Sequence, residues 1–252
     1  MSEHVRIERR DGLLAITLAR PERRNAITIA MYSALADAIE SAADDPELRV
    51  VTINGEGPDF TAGNDLNDFL PALPRDSGDI PVWRLLRALA RNEVPLVAAV
   101  QGNAVGIGTT MLLHCDLVIA QESARFSLPF VDLGLVPEAA SSLLLPGLAG
   151  RRRAARYLLL AEPFEASVAI EAGIVSHVVA DGALNGALAD IVARLLAKPA
   201  EALRLTQKLL RKGAADAVLK RMELENGHFS ERLQSAEVRD AIAAFFQARS
   251  RS

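Results

Sequence analysis

The sequence predicts an α/β fold in which strands alternate with helices up to about Arg151 and helices alone follow. Three observations predict it. Short apolar runs recur at Val50-Val51-Thr52-Ile53, Pro95 to Val100 and Leu117 to Ala120, with helically spaced stretches between them. Two of these runs lead into glycine-bearing turns, Phe60-Thr61-Ala62-Gly63-Asn64-Asp65-Leu66 and Asn103-Ala104-Val105-Gly106-Ile107-Gly108. From Arg151 onward the pattern is almost purely helical.

The elements follow in order. Val5 to Arg10 and Leu13 to Leu18 form a hairpin about Asp11-Gly12, a dipeptide suited to a two-residue turn with positive φ. Pro21 to Asn25 is polar and loop-like. From Thr28, the apolar positions Met31, Leu35, Ala38 and Ile39 follow helical spacing until Asp44-Asp45-Pro46 ends the run. The strand at Val50 precedes the first glycine turn, and Leu66 to Leu70 opens a short helix. Pro71 to Pro81, rich in proline, is expected to be a mobile loop. Trp83 to Arg91 is helical, and Pro95 to Val100 is the strand before the second glycine turn. Thr109 to Cys115 is a buried helix, followed by the strand Leu117 to Ala120. The later helices are expected at Arg151 to Leu160, Ala166 to Ala172, Leu184 to Ala197, Pro199 to Lys212 and Ala214 to Leu233. Ser235 is placed to cap a last helix through Phe245-Phe246. The helical C-terminal third is short and alanine-rich, so it should pack on the core or on a neighbouring subunit.

Composition narrows the function classes. Of 252 residues, 50% are hydrophobic but only 4% aromatic, so aliphatic side chains and alanine must fill the core. The net charge of −4 argues against nucleic acid, which needs a basic face. The one cysteine, Cys115, excludes an intramolecular disulfide and sits in an apolar run, where a buried structural thiol is expected. His4 and His228 have no carboxylate or cysteine at ligand spacing, so no metal site is expected. The polar start Met1-Ser2-Glu3-His4, the lack of an apolar run of bilayer length and a C-terminus unlike a peroxisomal address lead to the expectation of a soluble cytoplasmic protein without membrane contact.

Two strand-to-helix glycine turns about forty residues apart carry the chemistry. Glycine lets the backbone turn sharply and a ligand approach the amides, and the first N–H groups of a helix lack intrahelical partners. If two such turns converge, their amides can hold an oxygen on which negative charge develops. Either turn alone is equally a plain structural connection, and Asp65 could simply cap the helix after it. Gly106-Ile107-Gly108 lacks the third glycine of a dinucleotide fingerprint.

The ordered set Pro21-Glu22-Arg23-Arg24-Asn25-Ala26, Ala62 to Leu66, Gly102-Asn103-Ala104-Val105-Gly106, Cys115-Asp116, Phe126, Leu133-Gly134-Leu135-Val136-Pro137 and Ala202 to Lys208 resembles the crotonase, or enoyl-CoA hydratase/isomerase, superfamily from end to end. The resemblance implies a spiral of β-β-α units over residues 1–195 and a helical region, 196–252, used in trimerisation, giving a homotrimer or a dimer of trimers. It implies an acyl-CoA thioester as substrate and no further cofactor. The oxyanion amides would be those of Asn64 and Ile107. Substrate contacts would come from Arg24, Ala26, Ala62, Gly63, Asp65, Leu66, Gly106, Thr110 and Phe130, with the adenine end of CoA near Arg23 to Ala26.

Departures from the pattern narrow the reaction. Hydratases of this family carry two glutamates; here Thr110 and Phe130 stand at those positions, and neither is a base at neutral pH. The acid that does appear is Glu138, in Pro137-Glu138-Ala139-Ala140-Ser141-Ser142. That segment, with Gly63-Asn64-Asp65-Leu66-Asn67-Asp68-Phe69, resembles Δ3,Δ2-enoyl-CoA isomerases of the peroxisomal type. One carboxylate suits an isomerase, because the same group can take a proton from C2 and return it to C4. Apolar neighbours should raise its pKa and strengthen it as a base toward carbon. Among other candidates, Asp132 ranks below Glu138, and His114 is expected to be a satisfied core residue. His177 is expected at the surface, Ser141 and Ser142 lack a histidine partner, and Lys208 and Lys212 fit a solvated face. Two alternatives stay open: hydration or thioester hydrolysis by another base, and a noncatalytic acyl-CoA-binding protein.

Overall fold

The computed structural model describes residues 2–68, 80–211, 213 and 215–249. Its strands are β1 (Val5–Arg10), β2 (Leu13–Leu18), β3 (Val50–Gly55), β4 (Leu96–Val100), β5 (Asn103–Val105), β6 (Leu117–Gln121), β7 (Arg125–Ser127), β8 (Phe164–Glu165) and β9 (His177–Val179). The larger sheet runs β1-β2-β3-β4-β6-β9 and a smaller one runs β5-β7-β8. Only the β1–β2 hairpin is antiparallel in the larger sheet; Val51 then pairs with Leu96 and Val97 with Leu117 in parallel register. Asp11 (φ 48°) and Gly12 (φ 80°) make the expected left-handed turn of that hairpin.

The spiral is visible in how each turn of chain visits both sheets. β4 leads to β5 and β6 leads to β7, one strand in each layer. β3 is followed by Thr61, which pairs with Ala104 at the edge of the smaller sheet. The chain is therefore a mixed α/β spiral of β-β-α turns. The short strands β5, β7 and β8 carry no run long enough to stand out in the sequence.

Helices cover both faces of the larger sheet. α1 (Ile29–Ala43), capped by Thr28 through its hydroxyl to the Met31 N–H, packs its alanine face against α2 (Pro81–Arg91). On the opposite face, Val50, Val97, Ala99 and Ile119 form a second core with Leu184, Ile191 and Val192 of a later helix. The expected helix Thr109 to Cys115 is instead α3 (Ile107–Thr110), tightening into a 3-10 turn at Met111–His114. Pro21–Arg23, expected as loop, is also a 3-10 turn. Of the expected helix Leu66 to Leu70, residues 66–68 are helical and the rest lies outside the described residues. The expected loop from Pro71 also lies outside them through residue 79, while its last proline opens α2.

The remaining helices are α4 (Ser141–Ala149), α5 (Arg151–Leu159), α6 (Ala166–Glu171), α7 (Leu184–Leu196), α8 (Ala200–Arg211), α9 (Ala215–Leu233) and α10 (Ala236–Arg249). Ser235 caps α10 as expected, its hydroxyl accepting from the Val238 N–H. The C-terminal third packs on the core through α9, where Phe229 meets Trp83 of α2 edge to face at 6.1 Å. In α8, by contrast, Leu205, Leu209 and Leu210 stay exposed. No helix among the described residues is long and apolar enough to cross a membrane.

Candidate active site

The two glycine turns are locked side by side by backbone pairing. Ile27 donates to Gly63 O at 2.8 Å and Asp65 donates to Ile27 O at 3.0 Å, a parallel bridge centred on Asn64. Both bonds lie on the Ile27 side, so the N–H of Asn64 itself faces the other way. Thr61 donates to Asn103 O at 3.0 Å and accepts from Val105 at 3.1 Å, which ties the first turn to the second. Gly63 permits this approach: it has φ 84°, and a Cβ there would stand 2.7 Å from Val105 O. The Thr61 hydroxyl donates to Asn25 O and accepts from the Gly63 N–H.

The second turn leaves its own amides open. Gly106 (φ 55°) donates to Ser127 O, and its carbonyl accepts from Thr109 and Thr110. Ile107, first residue of α3, has no intrahelical acceptor for its N–H. Among the described residues neither the Asn64 nor the Ile107 amide donates to a protein acceptor, and both residues line one cavity of about 270 Å³.

That cavity collects most of the residues the sequence singled out. Arg24, Ala26, Ala62, Gly63, Asn64, Asp65, Leu66, Gly106, Ile107 and Phe130 all line it. Its polar rim holds Glu22, Arg23 and Arg24, and its apolar side holds Leu133, Leu135, Phe229, Leu233 and Ile242. The rim is rigid. Arg24 and Asn25 both take left-handed φ, and buried Asn25 bonds Arg20 N, Glu56 O and Asp59 O through its amide. Asp65 is paired with Arg20 at 2.7 Å and accepts from the Asn67 N–H, so it also caps residues 66–68. Partial burial pushes its pKa up, but the Arg20 bond and charge, with the backbone bonds, hold it below the usual value.

Thr110 and Glu138 are not among the residues that line this cavity. Thr110 is fully buried one helical turn after Ile107, and its hydroxyl donates to Glu138 Oε1. Glu138 is only 5% exposed, and its Oε2 has no partner among the described residues. Burial raises its pKa to about 8; the Thr110 bond opposes this and the charge of Glu225 adds to it. Tyr32 of α1, fully buried, donates its hydroxyl to Asn64 Oδ1. Burial and then the Glu138 charge push the Tyr32 pKa well above its ordinary value. Glu138 is therefore joined to the helix that opens with Ile107, through Thr110, and lies within electrostatic reach of the Tyr32 that holds Asn64.

The turn carrying Glu138 is unusual. Ala139 and Ala140 both have φ near 60°, a left-handed conformation that non-glycine residues rarely adopt in succession. Ser141 bonds Glu138 O through both its N–H and its hydroxyl. His114 Nε2 donates to Ala139 O at 2.8 Å. Glu225 of α9 accepts from Ala140 N at 2.6 Å, Ser142 N at 2.9 Å and the Ser142 hydroxyl. The two serines thus serve carboxylates and backbone rather than acting as nucleophiles.

The other candidates take structural roles. Burial lowers the His114 pKa to about 4, which leaves it a neutral donor in the core. Burial pushes the Cys115 thiol far up, away from reactivity. Asp132 is exposed and does not line the cavity, His177 is exposed, and Lys208 pairs with Glu93 at the surface. Lys212 lies outside the described residues. Among the described residues no group of three His, Cys, Asp or Glu side chains is placed to hold a metal ion.

Sequence reasoning missed Tyr32, Glu225, Phe229, Leu233 and Ile242. Helical spacing in α9 marks Met222, Glu225 and Phe229 as one face, but not what that face meets. A charged Glu225 among apolar neighbours on that face was the available signal.

The family model of enoyl-CoA hydratase/isomerase matches residues 8–251. The chain is 34% identical to a 1,2-epoxyphenylacetyl-CoA isomerase of Escherichia coli K12, with 95% of this chain and 94% of that protein covered. It is also 34% identical to a 2,3-dehydroadipyl-CoA hydratase of the same organism, covering 99% and 97%. A crystal structure of an enoyl-CoA hydratase/isomerase from Pseudoalteromonas atlantica superimposes with a TM-score of 0.93 at 39% identity over 98% of both chains. Together with the spiral fold and the paired glycine turns, these matches place the chain in the enoyl-CoA hydratase/isomerase family of the crotonase superfamily.

Proposed function

We propose that this enzyme moves the double bond of a 3-enoyl-CoA to the conjugated trans-2 position by proton transfer through Glu138. The observation that carries the reading is one buried carboxyl group, Glu138, which has an oxygen without a partner among the described residues and is bonded to Thr110 of the short helix that the Ile107 amide opens. The thioester oxygen accepts from the Asn64 and Ile107 N–H groups, and the acyl carbons run past Ile107 toward Thr110. The Glu138 carboxylate removes a proton from C2, and the electron pair spreads into a dienolate whose oxygen is held by the two amides. Glu138 returns that proton to C4, so C3=C4 becomes C2=C3 with no change in composition. Thr110 orients one carboxyl oxygen and leaves the other to carry the proton. Arg23 and Arg24 at the rim suit the phosphates of CoA, and the apolar wall of Leu133, Leu135, Phe229 and Leu233 suits the uncharged remainder.

Hydration is the competing reading, because one relative of equal identity is a hydratase. It is disfavoured by Thr110 and Phe130, which stand where water-activating glutamates would be and supply no base. Product analysis separates the two. Incubation with 3-hexenoyl-CoA is expected to yield the conjugated 2-enoyl thioester. Accumulation of 3-hydroxyacyl-CoA with no migration of the double bond would refute the proposal. If the chain neither isomerises nor hydrates and Glu138→Ala still binds CoA thioesters equally well, a noncatalytic binding role replaces both readings.

A further inference from the structure

We propose that Glu225 of α9 is a positioning residue for the reaction: it clamps the turn that carries Glu138 and brings a second carboxyl group beside it. This rests on the isomerase reading above, in which Glu138 is the base. Glu225 lies 87 positions further along the chain and is itself only 5% exposed. Both of its oxygens are spent on the second residue of the left-handed pair and on the serine two places further on: Ala140 N–H, Ser142 N–H and the Ser142 hydroxyl. Alanine in the left-handed region costs about 1 kcal/mol per residue. Two in succession persist only where surrounding bonds over-determine them. Glu225 supplies those bonds from one side and His114, through Ala139 O, from the other. The C-terminal helices thereby reach into the site twice, through this clamp and through the Phe229 and Leu233 wall.

The charges around Glu138 are few. Tyr32 of α1 and His114 of the 3-10 turn are neutral, and Thr110 of α3 does not titrate. Glu225 is the charged group acting on Glu138; burial raises its own pKa, while its Ser142 and Ala140 bonds and Arg221, one turn earlier on α9 and bonding the Ser142 hydroxyl at 3.1 Å, favour its ionised form. Removing that charge should let Glu138 ionise at lower pH.

The test follows the Glu138 carboxyl itself. Protein labelled with carboxyl-¹³C glutamate is titrated by NMR, and the Glu138 signal is assigned by its loss in Glu138→Gln. In Glu225→Gln the Glu138 midpoint should fall by about one pH unit or more from its wild-type value near 8, and kcat should drop with KM little changed. In Arg221→Gln, which keeps both carboxyls but changes how readily Glu225 ionises, the Glu138 midpoint should also move; this variant carries the test if Glu225→Gln does not fold. Glu138 midpoints unmoved in every variant that folds would overturn the inference. So would a moved midpoint with wild-type turnover in Glu225→Gln. If the midpoints move but the wild-type protein isomerises nothing, the electrostatic coupling stands and the isomerase reading falls.

Discussion

Glu138→Gln is expected to lower kcat for double-bond migration by about 10²- to 10⁴-fold while leaving acyl-CoA affinity nearly unchanged. Glutamine keeps the size of the side chain and can still accept from Thr110, but it cannot take a proton from carbon. Because the Glu138 carboxyl titrates near pH 8, wild-type kcat/KM should rise with pH and level off above that point, and the limb should vanish in the variant. Burial predicts a second effect of opposite sign. The folded chain holds the Glu138 proton up to about pH 8, whereas the ordinary carboxyl value is 4.5. Between those values the folded state binds a proton that the unfolded state has lost, so stability falls as pH rises through the window. Glutamine escapes that cost. Glu138→Gln should therefore be more stable than wild type at pH 9, by an amount on the order of a few kcal/mol, with the difference closing toward pH 4. Urea denaturation at the two pH values measures it. A variant that keeps more than about a tenth of wild-type kcat would contradict the assignment of Glu138 as base.

Gly63→Ala carries the second large effect. Gly63 has φ 84°, and its added Cβ would meet Val105 O at 2.7 Å, a contact with backbone that no side chain can relieve. The first turn must back away from the second, and the Asn64 amide moves with it. Oxyanion donors act only within about 2.7–3.1 Å of the oxygen they serve, and loss of one costs about 10²- to 10³-fold in kcat. That loss is the expected result, with weaker change in KM. Gly186→Ala is the control: Gly186 is an exposed position on α7, where an added Cβ meets nothing within 4 Å, and its activity should match wild type. Near-normal turnover in Gly63→Ala would mean that the two amides do not share an oxygen.

Much of this was legible in the sequence because it is local. Glycine between a strand and a helix, apolar runs of strand length and the Asp11-Gly12 hairpin each have a short-range physical cause. Glu138 was singled out by the resemblance of its segment to isomerases, and its apolar neighbours gave the expectation of a raised pKa. What stayed hidden depends on distant partners. Nothing local says that Glu225 will meet Ser142, or that Phe229 will close a cavity floored by Ile107. The left-handed pair at Ala139-Ala140 was invisible because alanine does not advertise that conformation as glycine does. Nor does anything local say that the Thr110 hydroxyl will meet Glu138, 28 positions further along the chain.

The most direct measurement is a crystal structure with a non-isomerisable 3-enoyl-CoA analogue bound. The thioester oxygen should accept hydrogen bonds from Asn64 N and Ile107 N at about 2.7–3.1 Å. The free oxygen of Glu138 should lie about 3–3.5 Å from both C2 and C4, on one face of the chain. An acyl group that turns away toward Phe229, leaving Thr110 and Tyr32 as a closed wall in front of Glu138, would contradict the account.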